Sequence, residues 1–155
     1  MESHSERPIS ALEKGGRGTV FEMWTLTYHL IKMLVGAGTL TNLNDTISSI
    51  SFQLRSDQYR TDDFLVVSTD DQKTTTHRLL VQVKHSIRFN RSDKNYRKVV
   101  ENAFIDFNNA ALFNRETDKI ALYTRSIFAE ASKNITRLLE LARAKSNSTE
   151  FFDAI

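Results

Sequence analysis

Hydrophobic residues recur at helical spacing near the start of the chain and again in its second half. The first run ends just before Gly36 and Gly38, where a left-handed C-terminal cap favours residues without a Cβ atom. Its predicted apolar face consists of Val20, Phe21, Trp24, Tyr28, Ile31, Leu34 and Val35. We therefore predict a first helix that packs this face against the core.

Between the helical runs the pattern changes to that of β-strands. Ile50, Phe52 and Leu54 alternate with polar residues, which is typical of a half-buried strand. Residues 64–67 and 79–83 form short apolar runs rich in β-branched side chains. These two runs favour a pair of adjacent central strands.

The second half of the chain repeats both patterns. Residues 96–111 have the periodicity of a helix, for which Ser92 or Asp93 is the candidate N-cap. Residues 120–123 suit a further strand, and residues 135–142 suit a last helix. The order of helix, three strands, helix, strand and helix predicts an α/β sandwich, a mixed sheet covered by helices on both faces.

The composition narrows the functional classes. A chain of 155 residues, 40% of them hydrophobic, fits a single domain over residues 1–155. A net charge of +2 gives no bulk sign of a polyanion-binding protein, so such a signal has to be local. The absence of cysteine excludes disulfides, thiolate zinc sites and a cysteine nucleophile.

Both ends of the sequence bear on its cellular context. The N-terminal segment is polar and has no apolar core of a signal peptide, and no later stretch is long and apolar enough for a bilayer. We expect a cytoplasmic protein that does not bind membranes. The apolar residues 151–155 indicate either the start of another element or a docked tail. We favour the first and expect the chain to be the N-terminal part of a longer, multidomain protein.

Polar residues occupy the ends of the two central strands. Asp62 and Asp63 open one strand, and Gln82 and Lys84 close the next. Because side chains alternate along a strand, Gln82 and Lys84 share a face, about 7 Å apart. Each pair alone is more often a turn or a solvated strand end, but an unpaired lysine on an otherwise buried strand is costly. Oxygen ligands beside an ammonium are what Mg²⁺-dependent phosphodiester hydrolysis requires.

A set of five segments resembles a known nuclease superfamily. In order and spacing, GGRGTVFEMW, RTDDFLVV, LLVQVKHS, ENAFIDFNNAALF and DKIALYTR are similar to PD-(D/E)xK, or restriction-endonuclease-like, nucleases. More narrowly, they resemble the nuclease domains of bacterial antiphage systems, namely the CBASS endonuclease effectors and the Avs STAND NTPases. No single motif is specific, but the ordered set extends over most of the chain.

This resemblance implies a fold, an activity and partners. The fold is a restriction-endonuclease-like α/β/α sandwich with a central mixed sheet flanked by helices. The activity is metal-dependent endonucleolytic cleavage of DNA, double-stranded and with little sequence specificity. The cofactor is Mg²⁺, for which Mn²⁺ can substitute. A homo-oligomeric active state and a C-terminal sensor or NTPase domain in the full-length protein are also implied.

The resemblance also assigns residue roles. Asp63, in preference to Asp62, takes the position of the metal-binding aspartate, and Gln82 that of the second acidic residue. Lys84 takes the position of the catalytic lysine. Glu22, on the first helix, matches the position that supplements the metal site in many members. Because Gln82 offers only a neutral amide oxygen, we expect a modest affinity for the metal.

One stretch of the chain is strongly basic and begins at the proposed catalytic lysine. Its candidate DNA-binding residues are Lys84, His85, Arg88, Arg91, Lys94, Arg97 and Lys98. Such runs are usually solvated surface, but contiguity with the site favours contacts to phosphates without strong base specificity. A catalytically inactive nuclease-like domain, serving as a nucleic-acid-binding or subunit-interaction module, is the alternative function. A plain α/β scaffold is a third hypothesis.

Overall fold

The computed structural model describes residues 16–52, 59–61, 63–90, 92–125, 129–145 and 149–151. The helices and strands follow one another in the predicted order. They are α1 (Gly16–Leu34), β1 (Thr46–Phe52), β2 (Phe64–Thr69), β3 (Thr76–Lys84), α2 (Lys94–Asn108), β4 (Lys119–Thr124) and α3 (Ala129–Ala144). The periodicity of the sequence therefore predicted each of these elements, but β1 and α3 begin earlier than predicted, at Thr46 rather than Ile50 and at Ala129 rather than Ile135.

The strands form one four-stranded mixed sheet in the order β1-β2-β3-β4. The first three strands are antiparallel neighbours, and β4 runs parallel to β3. A parallel neighbour requires a crossover, which α2 provides. The prediction that β2 and β3 are adjacent and central is confirmed. The outer strand β1 has a register irregularity between Ile47 and Ser49.

Helices cover both faces of the sheet. On one face, Phe21 and Met33 of α1 pack on a buried cluster that includes Val66 and Val81. On the opposite face, α2 and α3 pack together over Leu122 of β4. The expected α/β sandwich is therefore present, and β3, at its centre, is buried without interruption from Leu79 to Val83.

Helix α1 presents a different face to the sheet from the one predicted. Thr25 and His29, which are not part of the predicted apolar face, are buried. Of the predicted core face, Phe21 does pack on the sheet, but the other members are exposed on the outside of the helix. Those exposed members are Val20, Trp24, Tyr28, Ile31, Leu34 and Val35. The predicted core stripe of α1 is thus wrong for every position but Phe21.

The sequence signals for helix caps predicted the structure better than the apolar pattern of α1 did. Helix α1 ends at Leu34, and Gly36 has a φ of 67°, the left-handed conformation expected of a C-terminal cap. Asp93 is the N-cap of α2 and accepts hydrogen bonds from the backbone N–H groups of Asn95 and Tyr96. Within the described ranges, no helix combines the length and apolarity needed to cross a membrane.

Among the apolar residues near the end of the sequence, Phe151 is described and 152–155 are not. Phe151 is almost completely buried, with its ring stacked on that of Phe104 at 4.3 Å between centroids. Residues 149–151 are helical, and Phe151 packs on α2 through this contact.

The buried imidazole of His29 joins α1 to the sheet. Its Nε2 atom lies 3.0 Å from the hydroxyl of Tyr123, and its ring meets that of Phe64 edge-on. In the described part of the chain its Nδ1 atom is buried without a hydrogen-bond partner. Burial, assisted by the nearby charge of Lys32, lowers the pKa of His29 to about 4. The imidazole is therefore neutral at pH 7.

We predict that His29 makes the chain less stable in mild acid. The unfolded chain binds a proton as the pH falls below 6.5, whereas in the folded chain the pKa of His29 is about 4. Protonation of His29 thus favours unfolding. The contribution of the neutral imidazole to the free energy of unfolding is complete above pH 6.5 and is lost as the pH falls towards 4. Urea unfolding should show about 2 kcal/mol less stability from this group at pH 5 than at pH 8.

The control separates His29 from other titrating groups. His29→Gln should abolish this part of the pH dependence, while His85→Gln should retain it. Equal pH dependence in wild type and His29→Gln would show that His29 is not the group responsible.

Candidate active site

The centre of the candidate site is the carboxylate of Asp63. This residue immediately precedes β2, and the antiparallel register that pairs Phe64 with Val81 directs it towards Gln82. Its Oδ2 atom accepts hydrogen bonds of 2.5 Å from Gln82 Nε2 and from the backbone N–H of Val83. Asp63 is thereby attached to β3 through both a side chain and the backbone.

Lys84 completes the group. Its Nζ atom lies 4.0 Å from Asp63 Oδ2, and its side chain is 35% exposed, against 18% for that of Asp63. Gln82, two residues earlier on the same face, is only 3% exposed. The structure therefore brings a carboxylate, an amide and an ammonium together at the end of β3, as the sequence predicted.

The outcome is different for the two other predicted metal ligands, Asp62 and Glu22. Asp62 lies outside the described residues. Glu22 is exposed on α1, which packs on the sheet face opposite to that of Gln82 and Lys84. Helix α1 does reach the end of β3, since the ring centroid of Phe21 lies 5.8 Å from that of His85. The role of Glu22 at the metal remains a prediction.

The donor set of the site is compatible with Mg²⁺. This ion prefers oxygen ligands, retains several waters and is often held by only one or two carboxylates together with substrate phosphates. Asp63 supplies one carboxylate, and rotation of the Gln82 amide would present its oxygen in place of its nitrogen. Among the described residues, no group of three or more His, Asp or Glu side chains is arranged to hold a metal. A metal here would therefore depend on water and substrate oxygens.

The segment before Asp63 is held by α2. Asp106, 2% exposed, accepts hydrogen bonds from the backbone N–H groups of Arg60 at 2.8 Å and Thr61 at 2.6 Å. Asn102 Nδ2 donates to the carbonyl oxygen of Arg60 at 3.0 Å. Helix α2 therefore fixes the backbone two residues before Asp63. Sequence patterns did not indicate this role for Asp106.

The predicted DNA-binding stretch lies mostly on the surface. Its four exposed cationic residues are Arg88, Lys94, Arg97 and Lys98, whereas Lys84 and His85 are half-buried. Arg91 lies outside the described residues. The interleaved aromatic residues Phe89 and Tyr96 are buried and contact each other, so they belong to the core.

A cleft of about 420 Å³ opens beyond the C-terminal ends of the parallel strands β3 and β4. In open α/β sheets, ligands commonly bind beyond the carboxyl ends of parallel strands. The cleft is lined by His85, Ser86, Ile87, Arg88, Asp93, Thr124 and Arg125. Arg125 was not among the predicted residues, although its position directly after a parallel strand is a signal that could have identified it.

Comparison with protein-family models, curated proteins and solved structures gave no match for this chain.

Asp106→Asn tests the attachment of the segment before Asp63. The substitution replaces one of the two carboxylate oxygens that accept from Arg60 and Thr61 by an NH₂ donor and removes the charge of the other, and should lower the free energy of unfolding by about 3 kcal/mol. Urea denaturation measures this change. Glu101→Gln, at an exposed position of the same helix, should change stability by less than about 0.5 kcal/mol. Similar values for the two variants would contradict the anchoring role.

Proposed function

We propose that this chain is a Mg²⁺-dependent endonuclease domain that hydrolyses phosphodiester bonds of DNA. The observation that carries the proposal is the meeting of Asp63, Gln82 and Lys84 at one end of two central strands. The order of elements adds support to a restriction-endonuclease-like assignment of the sandwich. It comprises a helix, three antiparallel strands, a crossover helix and a strand parallel to the third.

The chemistry follows from the residue types. When bound, Mg²⁺ polarises a phosphoryl oxygen and makes water more acidic. Asp63 supplies the anionic oxygen that holds the ion, with the Gln82 amide oxygen as a neutral second donor. The contact with Lys84 keeps the ammonium beside the same carboxylate. From there Lys84 can orient the attacking water and stabilise negative charge that develops on the phosphate.

The cationic surface beside the site supports a nucleic acid as the substrate. The chain continues from Lys84 into the cleft, which Arg88 and Arg125 line from two different segments. Guanidinium groups suit phosphates because they donate several hydrogen bonds in a fixed plane. A DNA backbone in the cleft would pass next to the ammonium of Lys84. Contacts of this kind carry little sequence information, which favours cleavage with low specificity.

A non-hydrolysing nucleic-acid-binding module is the second candidate function. Two observations favour it: Gln82 is neutral, and the described residues contain no preassembled cluster of three metal-binding side chains. Cationic residues at the cleft serve either function. The presence of Lys84 beside Asp63 favours the enzyme, because a binding module has no chemical need for this pair.

Plasmid nicking is the direct test of the enzymatic proposal. The wild-type chain should nick supercoiled plasmid with Mg²⁺ and not with EDTA. Lys84→Ala and Asp63→Asn should each reduce the rate at least about 100-fold, because each removes a group that acts on the reacting phosphate.

Lys119→Ala is the matched control for this experiment. Lys119 is exposed at the start of β4, at the opposite end of the sheet from Lys84. This variant should cut at the wild-type rate. Cutting that survives both site substitutions would refute the site, and salt-dependent DNA binding without any cleavage would favour the binding module.

The salt dependence of DNA binding tests the cleft. Each phosphate contact contributes about 0.9 to the slope of log K against log salt concentration. Arg88→Ala and Arg125→Ala should each reduce that slope by about 1, as measured by fluorescence anisotropy with a labelled duplex. Arg115→Ala, an exposed position in the loop before β4, should leave the slope unchanged. An unchanged slope for both cleft variants would remove the cleft from the DNA path.

A further inference from the structure

The outer surface of α1 is apolar to a degree that is uncommon for a helix facing water. It comprises Val20, Met23, Trp24, Tyr28, Ile31 and Leu34, together with Val35 directly after the helix, and is named the outer face of α1. Exposure of these residues ranges from 37% for Tyr28 to 81% for Leu34. The stretch from Met23 to Ile31 contains no Asp, Glu, Lys or Arg. A water-facing helix normally carries such residues.

The size of this surface corresponds to one side of a stable protein interface. At the observed exposures, side chains of these types leave on the order of 800 Å² of surface in contact with water. A standard interface buries about 800 Å² on each partner. Monomeric proteins rarely expose contiguous apolar patches beyond about 600 Å². The outer face of α1 is therefore large enough to form an interface by itself.

The spacing within the outer face identifies the kind of partner. Four members of the outer face and Thr27, which lies between them, are separated alternately by four and three residues, the repeat with which one helix packs along another: Val20, Trp24, Thr27, Ile31 and Leu34. Thr27, the polar member of this seam, donates its hydroxyl to the carbonyl oxygen of Met23 at 2.8 Å. Its hydrogen-bonding need is thus met within α1, so a second helix can lie against its methyl group.

We propose that the outer face of α1 binds the same face of a second copy of this chain, forming a two-fold symmetric dimer. In a two-fold interface one patch contacts itself, so every copy supplies both halves of the seam. The net charge of +2 gives little long-range repulsion between two copies. The proposal does not depend on hydrolysis of DNA, since the interface excludes Asp63, Gln82 and Lys84.

Sedimentation equilibrium and tryptophan fluorescence test the dimer. The full chain should be dimeric at micromolar concentrations. Its sole tryptophan, Trp24, 72% exposed in the isolated chain, should shift its emission to shorter wavelength as concentration rises. Ile31→Glu should raise the dissociation constant of the dimer at least about tenfold, because it buries an unpaired charge at the interface. The shift should disappear with it.

Leu139→Glu is the matched control. Leu139 lies on α3 and is 51% exposed, close to the 55% of Ile31. The control should dimerise like wild type. Circular dichroism should show that both variants keep the secondary structure of the wild type, since both positions face water in the monomer.

Three outcomes would overturn the proposal. The first is a wild-type chain that stays monomeric at 100 times the concentration at which dimerisation is expected, about 100 µM. The second is a dimer that Ile31→Glu does not weaken more than Leu139→Glu does. The third is a monomer whose Trp24 emission shifts on addition of phosphatidylcholine and phosphatidylglycerol vesicles, which would make the outer face of α1 a membrane-binding surface.

Discussion

The whole arrangement depends on the burial of β3 on both faces. Water is excluded from such a strand, so each polar group on it requires a partner from the protein. Arg78 has its partner in the buried carboxylate of Asp118, to which it donates at 2.6 and 3.1 Å, and Gln82 has its partner in Asp63. The first contact joins β3 to the start of β4, and the second joins it to the start of β2. The contacts that satisfy the polar groups of β3 also join it to its neighbours. One of them brings the residues of the candidate site together at one end of the sheet.

The sequence was informative wherever a feature follows from local geometry. Alternation along β3 alone placed Gln82 and Lys84 on one face, and capping chemistry alone limited the N-cap of α2 to Ser92 or Asp93. The position of Asp63 required one further step, the pairing of β2 with β3. That step was predictable because two apolar, β-branched runs joined by a short polar segment are typical of antiparallel neighbours.

Features that depend on distant partners could not be predicted in this way. Periodicity shows that α1 has an apolar face but not whether this chain covers it, and the buried position of His29 depends on Tyr123, 94 residues away. Asp106 looks like an ordinary helix residue until Thr61, 45 residues earlier, is seen to donate to it. Arg125 lines the cleft only because β4, which it follows, runs parallel to β3. In each case the missing information was which segments the fold brings into contact.

The irregular register of β1 has a consequence for how copies of the protein can assemble. The outer strand of a sheet offers unpaired backbone groups to other chains, and an interruption of its regular ladder makes it a poorer template. Ser48 lies at that interruption, where its hydroxyl donates to the carbonyl oxygen of Val67 in the neighbouring strand. Sheet-to-sheet growth at β1 would be open-ended and lead towards fibres, whereas contact between helices about a two-fold axis is complete with two chains. With α1 paired as proposed, a poor template at β1 and an interface that is complete with two chains would together limit this protein to dimers.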